Sequence, residues 1–170
     1  MSAEPSPSAE PIRIQASENW QLALSELVTD PQALMTLLKL DPREKPVGLA
    51  AQEAFPLRVP RPFVARMQAG NWQDPLLRQV WPAVEEAQAY PGLVGDPLRE
   101  QTFTRAPGLL QKYHGRVLLT VAPHCAIHCR YCFRRHFDYA ANSPSRDAWQ
   151  HSLEFVRADE SIHEVILSGG

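Results

Sequence analysis

Residues 116–132 read Arg-Val-Leu-Leu-Thr-Val-Ala-Pro-His-Cys-Ala-Ile-His-Cys-Arg-Tyr-Cys and join a short apolar run to three cysteines. The run from Val117 to Val121 is aliphatic and partly β-branched, which is typical of a strand buried on both faces of a parallel sheet. The cysteines begin four residues after this run, in a loop expected at the carboxyl end of the strand. All three cysteines of the chain are therefore concentrated at one point of the predicted fold.

A helix and a second strand are predicted after the cysteines. Residues 143–145, Ser-Pro-Ser, are helix-start signals. The apolar helix face that follows consists of Ala148, Trp149, Ser152, Leu153, Phe155 and Val156. Val165-Ile166-Leu167 is a second candidate for a buried strand and leads into Ser168-Gly169-Gly170. Strand, helix and strand make a βαβ unit, so the predicted class is α/β. The cysteine loop and the glycine turn both follow strands, where parallel barrels place their chemistry.

The chain before this unit is expected to be helical. Residues 1–11 are predicted to be a disordered tail, residues 12–110 a helical region, and residues 111–170 the βαβ part. The predicted helices are Ser17–Val28 with Ser17 as cap, one opened by Asp30-Pro31, Pro62–Gln68 ending near Gly70, and one opened by Asp74-Pro75. Residues 90–107 show little periodicity and are expected to be loop.

Composition argues against several classes of function. The formal net charge is −2 over 170 residues, which implies no general attraction to nucleic acid or to a membrane surface. No apolar run approaches the roughly 18 residues of a membrane span, and the Ser/Pro/Ala/Glu-rich start does not resemble a signal peptide. Clustered thiols without a secretory signal favour a reducing compartment, so we expect the protein in the cytoplasm.

The cysteines Cys125, Cys129 and Cys132 have the spacing C-x3-C-x2-C. Cysteine thiolates hold iron–sulfur clusters, and three ligands to a [4Fe–4S] cluster leave one iron open to a ligand from outside the protein. A disulfide framework is disfavoured by the odd number of cysteines. Structural zinc usually takes four protein ligands, so zinc with a histidine as the fourth ligand remains an alternative. The candidate histidines are His124, His128 and His136.

Taken together, these motifs resemble the radical S-adenosylmethionine enzymes and, more narrowly, the lysine 2,3-aminomutase family. The segments that carry the resemblance are Leu57–Pro60, Asp74–Val80, Gly95–Leu98, Lys112–Leu119, Cys125–Phe137 and Ile166–Gly170. The cysteine spacing specifies the superfamily, whereas Arg134-Arg135-His136-Phe137 and the upstream Lys-Tyr-His narrow it to the family. The likeness extends to the bacterial members that make (R)-β-lysine for the modification of elongation factor P.

The resemblance implies a role for each matching residue. The implied ligands of a [4Fe–4S] cluster are Cys125, Cys129 and Cys132. The residues implied for S-adenosyl-L-methionine are Tyr131 beside the adenosine and the turn Ser168, Gly169 and Gly170. Those implied for pyridoxal 5′-phosphate are Tyr113 on the ring and Arg116 on the phosphate. Arg134 is implied to pair with the carboxylate of the substrate lysine.

The implied activity is the conversion of L-lysine to (R)-β-lysine, an isomerisation. Its implied partners are lysine, a reducing electron donor, and a functional link to elongation factor P and its lysyl-ligase. We expect no nucleic-acid or membrane partner. Other possibilities are a different lysine or glutamate 2,3-aminomutase, a non-catalytic iron–sulfur or zinc module, and an inert product that does not fold.

The implied fold is a (β/α) radical S-adenosylmethionine barrel, of which this chain would supply the first βαβ unit. A full barrel takes about 250 residues, so an incomplete barrel is expected here. In the family, the lysine that holds pyridoxal phosphate and the acids that hold the substrate amine lie further downstream. No catalytic residue of that kind is expected before Gly170, and we expect a truncated frame or fragment that is inactive by itself.

Overall fold

A computed structural model describes residues 19–122, 124–140, 142 and 145–169. The expected tail at 1–11, the expected cap Ser17, the helix-start pair 143–144 and Gly170 lie outside the described residues. The described chain divides into two compact units. The first unit comprises residues up to 89 together with Ala126–Cys132, and the second comprises Tyr90–Cys125 and the residues from Phe133 onward.

The first unit is helical, with short helices that follow one another along the chain. They are α1 (Trp20–Ser25), α2 (Pro31–Leu37), α3 (Leu49–Ala54), α4 (Arg61–Val64), α5 (Leu77–Val80) and a 3-10 helix (Val84–Ala87). The buried aliphatic core includes Leu34, Leu38, Leu57, Val64, Leu77 and Val80. This core packs the helices around one centre, and Trp72 and Trp81 meet edge to face beside it.

Two helix starts show which sequence signals decided the local structure. The predicted cap Asp30 is confirmed, since its carboxylate accepts hydrogen bonds from the N–H groups of Gln32 and Ala33 at 3.0 and 3.2 Å. The predicted helix up to Val28 was too long. Asn19 caps α1, and the helix ends at Ser25, because Val28 instead exchanges backbone hydrogen bonds with Val59 in an isolated β-bridge.

The stretch between α4 and α5 was also predicted with too much helix. α4 is a single turn that ends at Val64, whereas the pattern predicted a helix to Gln68. Gly70 has a φ of 68°, the left-handed conformation expected of a glycine after a helical turn. Asp74 is buried, and its carboxylate accepts hydrogen bonds from three backbone N–H groups. The donors are Gln68, Leu76 and Leu77, at 2.9, 2.8 and 2.9 Å.

The second unit contains a four-stranded sheet with the order β1-β2-β3-β4 in the described chain. Its elements are a 3-10 helix (Glu100–Phe103), β1 (Thr104–Ala106), β2 (Leu109–Tyr113), β3 (Arg116–Ala122), α6 (Arg146–Ala158) and β4 (Glu164–Gly169). The first two pairings are antiparallel, and β3 pairs with β4 in parallel, with Leu119 opposite Leu167. The predicted β3–α6–β4 unit is therefore confirmed, and the molecule is a mixed α/β protein.

The sheet also corrects several expectations. β1 lies where residues 90–107 were expected to be loop, and β2 starts within the region 12–110 that was expected to be helical. β4 was expected to be buried on both faces, but Leu167 is 69% exposed, because β4 is at the edge of the described sheet and its outward face is not covered. α6 packs Trp149, Phe155 and Val156 against the sheet, whereas Leu153 is exposed.

None of the helices in the described part of the chain is both long and apolar enough to cross a membrane.

Candidate functional site

The cysteine window lies where the two units join along the chain. Cys125 belongs to the sheet unit, whereas Cys129 and Cys132 belong to the helical unit. All three cysteines are outside any disulfide and are partly exposed, and the Cys132 N–H donates to the Cys129 carbonyl at 2.9 Å, which closes a turn. Among the described residues, no three His, Cys, Asp or Glu side chains are grouped closely enough to hold one metal ion. Ligation by the three cysteines therefore stays a prediction.

The histidine before Cys129 packs against the helical unit. The His128 ring stacks on Phe55 with centroids 4.5 Å apart, and its Nδ1 is 2.8 Å from the carbonyl oxygen of Pro56. Burial lowers the pKa of His128, and the positive charges of Arg58 and Arg130 lower it further, against the opposing effect of the Pro56 carbonyl. A neutral ring with its proton on Nδ1 satisfies this contact, so His128 serves here to attach the loop.

Arg130, the residue after Cys129, has its side chain buried within the helical unit. Its side chain is 7% exposed and pairs with Glu86. An arginine flanked by two cysteines on an exposed loop carries no sequence signal for such burial, because its partners lie more than forty residues away. Arg130 is therefore a residue of the site that only the tertiary structure reveals.

Tyr131, the residue implied for the adenosine, points away from the apolar core. It is 70% exposed, and its hydroxyl donates to the Gln79 side-chain oxygen at 3.1 Å. The exposed ring is open to a partner on the loop surface. Its proposed contact with adenosine is compatible with this exposure.

Arg134 is held within the sheet unit by a carboxylate of the chain itself. Its Nε and Nη2 donate to Glu100 at 2.8 and 2.9 Å, and its Nη1 donates to the Ser168 hydroxyl at 2.8 Å. The hydrogen bond with Glu100 raises the pKa of Arg134 above its ordinary value, so the guanidinium is permanently charged. The structure thus brings together two residues that the resemblance assigns to different ligands, lysine for Arg134 and S-adenosylmethionine for Ser168.

The end of β4 comes very close to β3. Gly169 lies opposite Ala122 in the parallel register, and a Cβ placed on Gly169 would be 2.7 Å from the Ala122 carbonyl oxygen. Any side chain at position 169 would therefore collide with the backbone of Ala122, which cannot move aside as a flexible side chain could. This explains one glycine of the Ser-Gly-Gly turn by strand packing, independently of any ligand.

Tyr113 and Arg116, the residues implied for pyridoxal phosphate, are brought together at the turn between β2 and β3. Both line a cavity of about 130 Å³ in the sheet unit. The other lining residues are Glu100, Phe103, Leu110, Lys112, Val117, Leu118 and Ile166. The Lys112 ammonium lies 5.3 Å from the centre of the Phe103 ring and 6.0 Å from that of Tyr113. Sequence reasoning missed this lysine as a second cation of the cavity.

Arg116 has a competing partner in the same unit. Its guanidinium forms an ion pair with Glu164 on the neighbouring strand β4, and both side chains are about half exposed. An ion pair in this position is weak because water screens it. Arg116 is therefore available to an incoming anion at small cost.

Comparison with curated proteins places this arrangement in a family. The chain is 50% identical over 154 residues to L-lysine 2,3-aminomutase of Escherichia coli K12, covering 90% of this chain and 45% of that protein. It is 40% identical over 161 residues to the enzyme of the same name from Haemophilus influenzae, covering 95% and 47%. The protein of that name from Buchnera aphidicola is 37% identical over 160 residues, covering 94% and 47%. No protein-family profile matches the chain.

The fold is mixed α/β, and the three cysteines follow β3 along the chain. The chain belongs to the L-lysine 2,3-aminomutase family of radical S-adenosylmethionine proteins. It spans about half the length of the curated relatives that it matches.

Proposed function

We propose that this chain is the cluster-binding and S-adenosylmethionine-binding part of an L-lysine 2,3-aminomutase. The observation that carries the proposal is the 50% identity to the Escherichia coli protein of that name. The match covers 90% of the 170 residues, which leaves at most about 17 outside it, so residues 18–153 lie within it wherever it begins. The cysteine window, Tyr113, Arg116 and Arg134 are all inside that range.

The donor set fits an iron–sulfur cluster. Three partly exposed thiols supply three soft ligands, and the proposal assigns Cys125, Cys129 and Cys132 to three irons. When bound, the cluster and S-adenosylmethionine together supply the radical chemistry. The proposal assigns the exposed ring of Tyr131 to the adenosine of S-adenosylmethionine. It assigns the end of β4, at Ser168 and Gly169, to the methionine part of the same molecule.

The proposal assigns pyridoxal 5′-phosphate to the β2–β3 turn, where the lining of the small cavity has side chains suited to an anionic ring compound. Tyr113 supplies an aromatic surface, and Arg116 with Lys112 supplies two cations for a phosphate. The proposal assigns the carboxylate of the substrate lysine to Arg134, which is paired with Glu100 in this structure. Glu100 occupies its Nε and Nη2, whereas Nη1 donates to the Ser168 hydroxyl. The side chain of Tyr139 interacts with the same guanidinium, so a lysine carboxylate competes here with partners from the chain itself.

Several finer assignments belong to the same proposal. The product is (R)-β-lysine, destined for elongation factor P through its lysyl-ligase, and an electron donor reduces the cluster in a reducing compartment, the cytoplasm. The β3–α6–β4 unit is the first part of a (β/α) barrel. What supports these assignments is the family resemblance of Arg134–Phe137 and of the Ser-Gly-Gly turn at β4.

Anaerobic reconstitution with iron and sulfide tests the cluster and S-adenosylmethionine sites. We expect close to four irons and four sulfides per chain, an electron paramagnetic resonance signal after reduction, and a change in that signal when S-adenosylmethionine is added. Replacing any one of the three cysteines by serine should remove the signal, whereas Ser25→Ala, a change in α1, should leave it intact. Stoichiometric zinc with no response to S-adenosylmethionine would instead identify a metal-binding module without this chemistry.

A further inference from the structure

The loop that carries Cys129 and Cys132 is attached to the helical unit by the residues between the cysteines. Arg130 donates its backbone N–H to the Gln79 carbonyl at 2.7 Å, and the His128 N–H donates to the Arg58 carbonyl at 2.9 Å. Cys129 is therefore flanked by two residues whose backbone N–H groups are hydrogen-bonded within the first unit, and Cys132 follows Arg130 by two residues.

The Arg130 side chain attaches the loop a second time, and its guanidinium is almost fully enclosed. Nε and Nη2 donate to the Glu86 carboxylate at 2.9 and 2.6 Å. Nη1 donates to the Phe55 carbonyl, and Nη2 also donates to the Ala51 carbonyl at 3.1 Å. The guanidinium is planar, and it is bound by a carboxylate on one edge and by two carbonyls on another. These contacts fix the orientation of the Arg130 side chain.

The guanidinium also rests on an aromatic surface. Its central carbon is 5.2 Å from the centre of the Phe55 ring, which stacks on His128 as well. The side chains of Arg130 and Glu86 are 7% and 17% exposed. A buried arginine is tolerated when its charge is paired and its donors are satisfied, and both conditions hold here.

Arg130 could act on the cysteines in two ways, through its positive charge or by holding the chain in place. The Glu86 carboxylate compensates the charge locally, which favours the second. If Arg130 acted through its charge on neighbouring thiolates, a partner carboxylate at 2.6 Å would cancel most of the effect. The contacts instead fix the path of the chain between two proposed metal ligands. A metal site requires its ligands to be held in advance within a fraction of an ångström.

We propose that the Arg130–Glu86 pair is a positioning pair that holds Cys129 and Cys132 ready for the cluster. This inference rests on the proposed function, since it concerns the same three cysteines. It also gives the helical region a function: the end of α3 and the 3-10 helix at Val84–Ala87 bind the loop that carries Cys129 and Cys132.

The test compares Arg130→Lys and Glu86→Gln with matched changes at an exposed pair of the same kind. Arg43 and Asp41 form such a pair, and the Arg43 side chain is 88% exposed, so Arg43→Lys and Asp41→Asn are the controls. All chains are reconstituted anaerobically, and the release of iron to a chelator and the line shape of the reduced cluster are measured. Circular dichroism of the apo chains monitors folding.

We expect Arg130→Lys to release iron about tenfold faster than the wild-type chain, with a broadened or altered resonance, because lysine keeps the charge but loses the planar fork. Glu86→Gln keeps one acceptor oxygen and should give a smaller change in the same direction. If Arg130→Lys loses its helical spectrum, Glu86→Gln carries the comparison. Both control chains should match the wild type.

Two outcomes would overturn the inference in distinguishable ways. A wild-type chain that takes up no iron–sulfur cluster contradicts the proposed function and this inference with it. In the second outcome the wild-type chain holds the cluster, and the folded Arg130 and Glu86 variants release iron at the same rate as the wild type. This result contradicts the positioning role alone.

Discussion

The Arg134 guanidinium is held by the Glu100 carboxylate through two hydrogen bonds, from Nε at 2.8 Å and from Nη2 at 2.9 Å. Both side chains are at least 86% buried, since their exposed fractions are 9% and 14%. The third nitrogen reaches Ser168 at the end of β4. This ion pair connects the turn after the cysteines with the 3-10 helix before β1, so it supports the sheet unit whatever ligand Arg134 binds.

Replacing Glu100 by Gln should lower the free energy of unfolding by about 2 kcal/mol, because a buried arginine would lose a charged hydrogen-bond partner. Urea unfolding followed by circular dichroism measures the change. Asp41→Asn is the control, since its arginine partner is exposed and such pairs contribute little. An unchanged urea midpoint for the Glu100 variant would show that the pair does not stabilise the unit.

Replacing Asp74 by Ala should destabilise the helical unit by about 2 kcal/mol, at the upper end of the range for helix caps. Its carboxylate is buried and serves three backbone N–H groups. Asp30→Ala removes an exposed cap with two such bonds and should cost about 1 kcal/mol. Thermal and urea unfolding measure the loss of stability in each variant. Equal losses for Asp74→Ala and Asp30→Ala would show that burial of Asp74 adds nothing to its effect.

Ser161 should control the ionisation of Asp159 at the turn between α6 and β4. Its hydroxyl and N–H donate to the Asp159 carboxylate at 2.6 and 3.0 Å, and these bonds lower the pKa of Asp159. Replacing Ser161 by Ala should therefore raise that pKa toward its ordinary value of about 3.9, measured by carbon NMR of the carboxyl group.

The same substitution has a defined effect on stability against pH. A lowered carboxyl pKa stabilises the folded state above the unfolded value, and the effect is lost as the pH falls through the folded pKa. The wild type should therefore exceed Ser161→Ala in stability above about pH 4, with the difference fading at lower pH. A difference that grows on acidification would contradict this assignment.

Replacing Glu164 by Gln should tighten the binding of pyridoxal 5′-phosphate by about two- to fivefold, because a surface ion pair of up to about 1 kcal/mol would no longer compete for Arg116. Fluorescence titration of the cofactor with the chain measures it. Arg116→Gln should weaken binding in the same assay. Glu154→Gln, an exposed change on α6, is the control. Unchanged affinity in both test variants would place the phosphate elsewhere.

The sequence predicted those features that depend on neighbours along the chain. Asp30 before Pro31 predicted a capped helix, and the aliphatic run at Val117–Val121 predicted a strand; both are confirmed. The C-x3-C-x2-C spacing and the motifs around it indicated the family. Each of these signals is local, since capping, side-chain alternation and ligand spacing act over a few residues.

Features that depend on distant partners were missed. β1 has three residues and pairs through a bulge, so no periodicity marks it. No local pattern marks the burial of Arg130 against Glu86 or of Arg134 against Glu100, because each acid lies more than thirty residues away in the chain.

What the sequence by itself determined is therefore the family, the βαβ order and the cysteine spacing, because local patterns encode them. The tertiary structure decided which charges are buried. Burying an arginine requires a carboxylate and carbonyls that only folding brings to it. It also decided that Arg134 and Ser168 are in contact and that Gly169 has no room for a side chain, because strand pairing sets these distances.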